Sequence, residues 1–201
     1  MNEIWIDTPK GKIFGMTAGK PSATAGEPSR PVVGIHGFSQ RNGWHTWEPL
    51  ARPLAEAGFY VVLVDMPGWG KSPAWGEGAL NGREAVMAIL DGLQLKEASL
   101  LGKSWGGGIV LDVAMHHPDR IHKVVLTAPA YRGDFMELDR LTMPVLMAWA
   151  KDDEVIPYTY ATMFTGAIPN CRLETYDTGG HSAAQKNADD FAPKAVEFLR
   201  G

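Results

Sequence analysis

Much is missing from this chain of 201 residues, and each absence narrows what it does. A single cysteine, Cys171, rules out an internal disulfide and fits a small residue at a strand start. No apolar run approaches the ~18 residues of a membrane span. The N-terminus, Met1 to Ile6, reads as a strand with an early acid at Glu3 rather than as a signal peptide, so the expected location is cytoplasmic. Lysines and arginines form no stripe and the formal net charge is −4, which sets nucleic acid aside as a partner. No His, Cys and carboxylate group has metal-ligand spacing, so neither a metal nor another cofactor is expected. Internal repeats and a second domain are lacking too. A single globular domain, residues 1–201, remains, with 45% hydrophobic residues. A chain of this size buries roughly 70% of its unfolded surface.

The chain itself reads as an α/β protein. Two short strands near 3–7 and 12–17 are followed by strand–helix alternation, the mark of a mostly parallel sheet. Further strands fall near 31–36, 59–65, 97–102, 122–128, 143–149 and 171–176, making about eight. Helices fall near 46–57, 80–94, 105–117, 157–167 and 188–200. Runs such as Tyr60-Val61-Val62-Leu63-Val64 are apolar without alternation, as in strands covered on both faces. Between the early strands and the alternating part, Gly19–Pro31 is rich in Pro, Ser, Ala and Gly and reads as a surface turn. Right-handed crossovers gather the loops after the strands at one edge of the sheet, where open α/β sheets bind ligands.

At that edge, residues 102–107 read Gly-Lys-Ser-Trp-Gly-Gly, after the apolar run 98–101 and before a helix-like stretch. Gly-x-Ser-x-Gly in a strand–turn–helix setting is a nucleophile elbow. Small residues two before and two after Ser104 let the sharp turn close. The helix N-terminus that follows aims free N–H groups at the space beside the hydroxyl. A serine needs a base, and the base needs an orienting acid; on this scaffold they follow in the order serine, acid, histidine. Of six histidines, His36 and His45 precede Ser104. His116 and His117 end the elbow helix before Pro118 and are expected to point away, and His122 opens the next strand at the wrong edge. His181 remains, in Thr178-Gly179-Gly180-His181-Ser182, where two glycines let a loop carry an imidazole over the strand ends. For the acid, Met143–Trp149 runs into Asp152-Asp153-Glu154. Chemistry alone leaves these three open; Asp153 is preferred and Asp152 comes second. Asp177 is read as a strand-end turn residue.

Several motifs in order now resemble the α/β-hydrolase family over nearly the whole chain. They are His36-Gly37-Phe38-Ser39, Asp65-Met66-Pro67-Gly68-Trp69-Gly70-Lys71-Ser72, the elbow, His117-Pro118-Asp119-Arg120-Ile121, the Asp153–Pro157 loop and Gly180-His181. The resemblance implies an α/β-hydrolase fold and places the acid four residues before the loop proline, at Asp153. It places the oxyanion hole at the backbone N–H groups of Phe38 and Trp105, and makes the turn from Asp65 to Ser72 structural. Many family members insert a cap of tens of residues where this chain has only Pro129–Thr142, room for a short helix near 133–141. An open site without a substantial cap is therefore implied. In size and lack of a lid the chain is similar to the small CIB-type hydrolases, although those differ around the elbow.

Loop aromatics Phe38, Trp44, Trp47, Trp69, Trp75, Trp105 and Tyr131 are the candidates for gripping an apolar group, although most such rings pack loops. Ser39, Trp44, Trp47, Lys103 and Tyr131 are taken as candidate substrate contacts. Lys103 either favours an anionic substrate or packs its stem and lets its ammonium reach water. His45 reads as a loop residue. The expected activity is carboxylesterase-like: a serine hydrolase cleaving a small or accessible ester, thioester or activated amide of a small-molecule acyl substrate. The same residues serve an acyltransferase or deacylase. A receptor or scaffold that dropped turnover, and a cofactor-free lyase or haloperoxidase-like activity, are the alternatives from other classes. Oligomeric state leaves no sequence mark.

Overall fold

A computed structural model describes residues 1–21 and 31–201. The Gly19–Pro31 segment read as a surface turn falls largely outside the described residues. The strands are β1 (Asn2–Thr8), β2 (Gly11–Ala18), β3 (Pro31–Ile35), β4 (Tyr60–Val64), β5 (Ala98–Lys103), β6 (Ile121–Thr127), β7 (Val145–Ala150) and β8 (Cys171–Tyr176). They form one sheet in the order β1-β2-β4-β3-β5-β6-β7-β8. The β1–β2 and β2–β4 pairs are antiparallel, and all later pairs are parallel. The helices are α1 (Glu48–Glu56), α2 (Gly82–Gly92), α3 (Trp105–His116), α4 (Thr159–Ala167), α5 (Ala183–Lys186) and α6 (Ala188–Arg200). This is the expected mostly parallel, helix-flanked α/β sheet, met by its elements to within a few residues.

Side chains alternate across the strands, so each apolar run feeds two cores. In β4, Val62 and Val64 join the layer under α2, α3 and α4, while Val61 and Leu63 join the layer under α1 and α6. Chain direction across the sheet reverses beside β3, which lies between β4 and β5. That switch point opens a crevice at the strand C-termini, where the loops after β3 and β5 diverge. Between β6 and β7 the chain makes only a 3-10 turn, Phe135–Arg140, where a short helix was expected. No helix of the described residues is long and apolar enough to cross a membrane.

Candidate active site

The elbow sits at this crevice. Ser104 has φ 52° and ψ −120°, a left-handed backbone that a non-glycine residue adopts only when its surroundings enforce it. Three backbone hydrogen bonds do so: Ser104 N–H donates to Thr127 O (3.0 Å), and Ser104 O accepts from Gly108 N–H (3.1 Å) and Ala130 N–H (2.8 Å). The flanking glycines are there for space. A Cβ on Gly106 would run into the His36 carbonyl oxygen, and one on Gly102 would stand 2.7 Å from Gly107 Cα. The helix α3 thus starts against the end of β3, with Trp105 as its first residue.

The acid loop and the histidine loop meet beside it. His181 Nδ1 lies 2.9 Å from Asp153 Oδ2. The Asp153 side chain is fully buried, and its other oxygen accepts from Val155 N–H (2.9 Å) and Ile156 N–H (3.0 Å). Its orientation is therefore fixed by the loop that carries it, and it can only receive the Nδ1–H tautomer. Asp152, the runner-up, does something different. Its carboxylate accepts from Gly180 N–H (2.7 Å) and Gly179 N–H (3.3 Å), holding the turn in which both glycines take positive φ (135° at Gly179, 54° at Gly180). Asp177 pairs with Lys151 at 2.7 Å on the surface. His181 sits in a 3-10 turn, Gly180–Ser182, that leads into α5, a short helix in place of the expected loop. Its Nε2 is buried and has no hydrogen-bond partner among the described residues.

Aromatic rings build the loop in which the oxyanion hole is expected. Trp69 and Trp105 stack with centroids 4.7 Å apart, and Phe38 stands edge-on to both at 5.7 and 5.8 Å. Trp69 Nε1–H donates to Phe38 O at 2.8 Å, which fixes the loop. Beneath them His36 is buried: Nδ1–H donates to Gly37 O (2.7 Å) and Nε2 accepts from Met66 N–H (2.9 Å). That pair of bonds requires the neutral ring, and burial holds its pKa below the ordinary histidine value. The Gly37 carbonyl shares a peptide plane with Phe38 N–H, so His36 fixes the direction in which that N–H points. The turn from Asp65 is braced likewise: its carboxylate accepts from Trp44 N–H (2.8 Å) and Lys71 N–H (2.9 Å), and Ser72 Oγ–H donates to Asp65 O (2.6 Å).

Among the described residues, two clefts open at Ser104. The larger, about 740 Å³, runs from Phe38 and Trp105 past Asn81, Arg83 and Tyr131 to Asp112 and His116. His116, expected to point away, lines its far end, with Nδ1 3.1 Å from the Asp112 carboxylate. The smaller, about 370 Å³, is walled mainly by Pro129, Val155, Ile156, Pro157, Tyr160 and Phe164. Tyr131 and Arg132 line both. Of the candidate substrate contacts, Tyr131 therefore faces the clefts, with its hydroxyl donating to Asp134 O at 3.2 Å.

The others do not line either cleft. Trp47 is 1% exposed, in the core layer on the opposite face of the sheet, with Nε1–H donating to Ile35 O at 2.9 Å. As a substrate contact it is corrected to a core residue. Spacing carried the signal: Trp47, Leu50, Ala51 and Leu54 follow the apolar stripe of a helix and all are buried. Trp44 packs against that same layer, and Ser39 accepts from Arg41 N–H (3.3 Å) on the exposed side of its loop. Lys103 reaches away from the clefts to Ser182 Oγ, 2.7 Å distant. Among the described residues no group of three His, Cys, Asp or Glu side chains is placed to hold a metal ion.

This geometry has a family. The model of the alpha/beta hydrolase fold matches residues 30–143, more than half of the chain. The chain belongs to the alpha/beta hydrolase family. As a hydrolase of this fold it is 24% identical to the 2-hydroxy-6-oxononadienedioate/2-hydroxy-6-oxononatrienedioate hydrolase of Cupriavidus pinatubonensis, over 87% of this chain and 88% of that protein. It is 23% identical to the 2-hydroxy-6-oxo-6-phenylhexa-2,4-dienoate hydrolase of Comamonas testosteroni, over 88% and 89%. Among solved structures it superposes on a predicted CIB-like hydrolase from Thermoplasma acidophilum with a TM-score of 0.87 and 22% identity, over 99% of this chain and 97% of that one. The Cupriavidus alignment runs over 255 positions, whereas 87% of 201 residues is about 175; about 80 positions therefore have no counterpart in this chain.

Proposed function

We propose that this hydrolase cleaves an accessible carboxylic ester, or a thioester or activated amide, through an acyl-enzyme on Ser104. The observation that carries the reading is the His181–Asp153 pair: a buried carboxylate holds Nδ1, and Nε2 is left buried and unpartnered beside a strained serine elbow. When a substrate carbonyl enters, Ser104 Oγ attacks it and His181 Nε2 takes the hydroxyl proton; the serine–imidazole bond closes in the complex. The carbonyl oxygen, now negative, is received by the N–H groups of Phe38 and Trp105, each worth roughly 3 kcal/mol. Collapse expels the alcohol or thiol, which takes the proton from His181. A water then enters, His181 removes its proton, and a second tetrahedral intermediate releases the acid and restores Ser104. The two clefts fit the two arms of such a substrate, the smaller suiting an apolar group.

The relatives support a second reading. A 2-hydroxy-6-oxodienoate offers a ketone in place of an ester, so its hydrolysis breaks a carbon–carbon bond and the departing group is a stabilised carbanion. Sequestration from water favours such a group, and the short connection between β6 and β7 favours the ester instead.

Fluorophosphonate labelling read by intact mass tests the proposal, followed by turnover of short-chain p-nitrophenyl esters and of 2-hydroxy-6-oxo-6-phenylhexa-2,4-dienoate. The expected result is one adduct, lost in Ser104→Ala, with ester turnover exceeding that of the dienoate. Faster dienoate turnover would favour the second reading. Folded protein that neither labels nor turns over would favour a receptor or scaffold.

A further inference from the structure

Lys103 immediately precedes Ser104, and Ser182 immediately follows His181. Their side chains meet across 79 residues of sequence: Lys103 Nζ–H donates to Ser182 Oγ at 2.7 Å. Two further observations single this bond out. Ser182 occupies the N-cap position of α5, where a serine hydroxyl ordinarily accepts from the N–H groups of the first turn. Here it makes no capping bond and takes the ammonium instead. Lys103, for its part, is half-buried, although a lysine at a strand end usually extends its ammonium into water. Burial and, after it, the charge of Lys186 press its pKa down, and Asp153 draws it up.

We propose that Lys103 is a positioning residue that latches the His181 loop to the nucleophile elbow through Ser182. The inference rests on the acyl-enzyme reading of Ser104 and His181. One bond then links the residue before the nucleophile to the residue after the base. It fixes the separation that neither Asp153, which holds the ring from behind, nor Asp152, which holds the glycine turn, controls. The latch touches no substrate: Lys103 and Ser182 line neither cleft. Its loss acts on the chemical step and leaves substrate binding alone.

A double-mutant cycle tests this, with Lys103→Met, which keeps the stem and removes the ammonium, and Ser182→Ala. Saturation kinetics on a p-nitrophenyl ester that wild type turns over, and that Ser104→Ala does not, are measured for each. Each single variant is expected to lose about ten- to a hundredfold in kcat, the worth of one hydrogen bond to a charged group, at unchanged KM. The double variant should lose no more than the worse single one, because one bond is removed either way. Ser182→Thr, which retains the hydroxyl, should recover most of the loss. Circular dichroism and thermal melts confirm that the variants are folded. Multiplying losses, an unchanged kcat, or a change confined to KM in Lys103→Met would overturn the latch; the last would make Lys103 a substrate contact. Ester turnover that survives Ser104→Ala would instead remove the acyl-enzyme reading on which the latch depends.

Discussion

Replacing Asp153 by asparagine should cost about ten-thousandfold in kcat, and replacing Asp152 in the same way less than tenfold. The structure supplies the reason for the difference. Asp153 Oδ1 accepts two backbone N–H groups, from Val155 and Ile156, while Oδ2 faces His181 Nδ1. An asparagine must keep its oxygen on the two N–H groups, since the reverse would oppose its amide to two donors in a buried site. Its NH2 then stands where Oδ2 stood, 2.9 Å from Nδ1. Two donors cannot share that contact, so the ring leaves Nδ1 bare and carries its proton on Nε2. The nitrogen needed as base becomes a donor. In serine proteases the equivalent loss of the correct tautomer is worth about 10⁴ in kcat, or roughly 5 kcal/mol, with the fold intact. Asp152 divides its oxygens between two glycine N–H groups, the stronger at 2.7 Å. An asparagine oxygen retains that bond and gives up the 3.3 Å one, a small loss at an exposed position.

The assay is single-turnover acylation by a p-nitrophenyl ester under saturating conditions, with thermal melts to confirm folding. Asp153→Asn should keep KM within about threefold while acylation collapses. Equal and mild losses in the two variants, or a larger loss in Asp152→Asn, would refute the assignment.

Four further outcomes are expected from the same packing and hydrogen bonds. Trp47→Leu should lower stability by about 3 kcal/mol in urea unfolding while kcat/KM stays near wild type, because the indole fills the core and its N–H holds Ile35 O. Gly106→Ala should lose about 3 kcal/mol or more, or yield no soluble protein, because its Cβ meets backbone oxygens of His36 and Ile35 that cannot move aside. His36 has a depressed pKa in the folded state, so below pH ~6.5 the unfolded chain binds a proton that the native ring refuses. Stability should therefore fall as pH drops from 6.5 toward the folded pKa, and urea titrations of His36→Gln should show a shallower acid slope than wild type. Ester turnover should rise smoothly through the micelle threshold of the substrate, and a jump there would contradict a site without a moving cover.

How much of this was legible depended on how far apart the interacting residues lie in sequence. The elbow is a local object: glycines, serine and the following helix occupy a few consecutive residues, and their spacing alone demanded the turn that is observed. The strands were equally plain, because burial on both faces leaves unbroken apolar runs. Asp152 and Asp153 are a different case. They are chemically identical neighbours, and what separates them is the direction each carboxylate takes across 28 residues of sequence, one to an imidazole and one to two glycine amides. Trp47 was misread although the helix expected near 46–57 already set it on one apolar stripe with Leu50, Ala51 and Leu54; a ring in a loop-rich region was given a binding role before that stripe was given its core. His116 shows the converse limit: the helix that carries it was correctly read, but which cleft its last turn borders is set by packing against the segment after β6.

The restraints around His181 accompany a short connection between β6 and β7. A catalytic imbalance of one ångström is costly in any hydrolase, and a domain clamped over the site is one way to hold the parts together. Among the described residues no domain stands over the site, and the tethers lie within the loops themselves. Asp153 fixes which nitrogen carries the proton and is itself fixed by two amides of its own loop. Asp152, one residue earlier, reaches back to the glycines that would otherwise leave the histidine loop free to swing, and Ser182 is bound to the strand that ends in the nucleophile. Adjacent residues on the acid loop thus divide the work between proton placement and loop placement. That is why a single asparagine scan across positions 152 and 153 separates chemistry from architecture: the first substitution should be seen mainly in stability, the second almost entirely in rate.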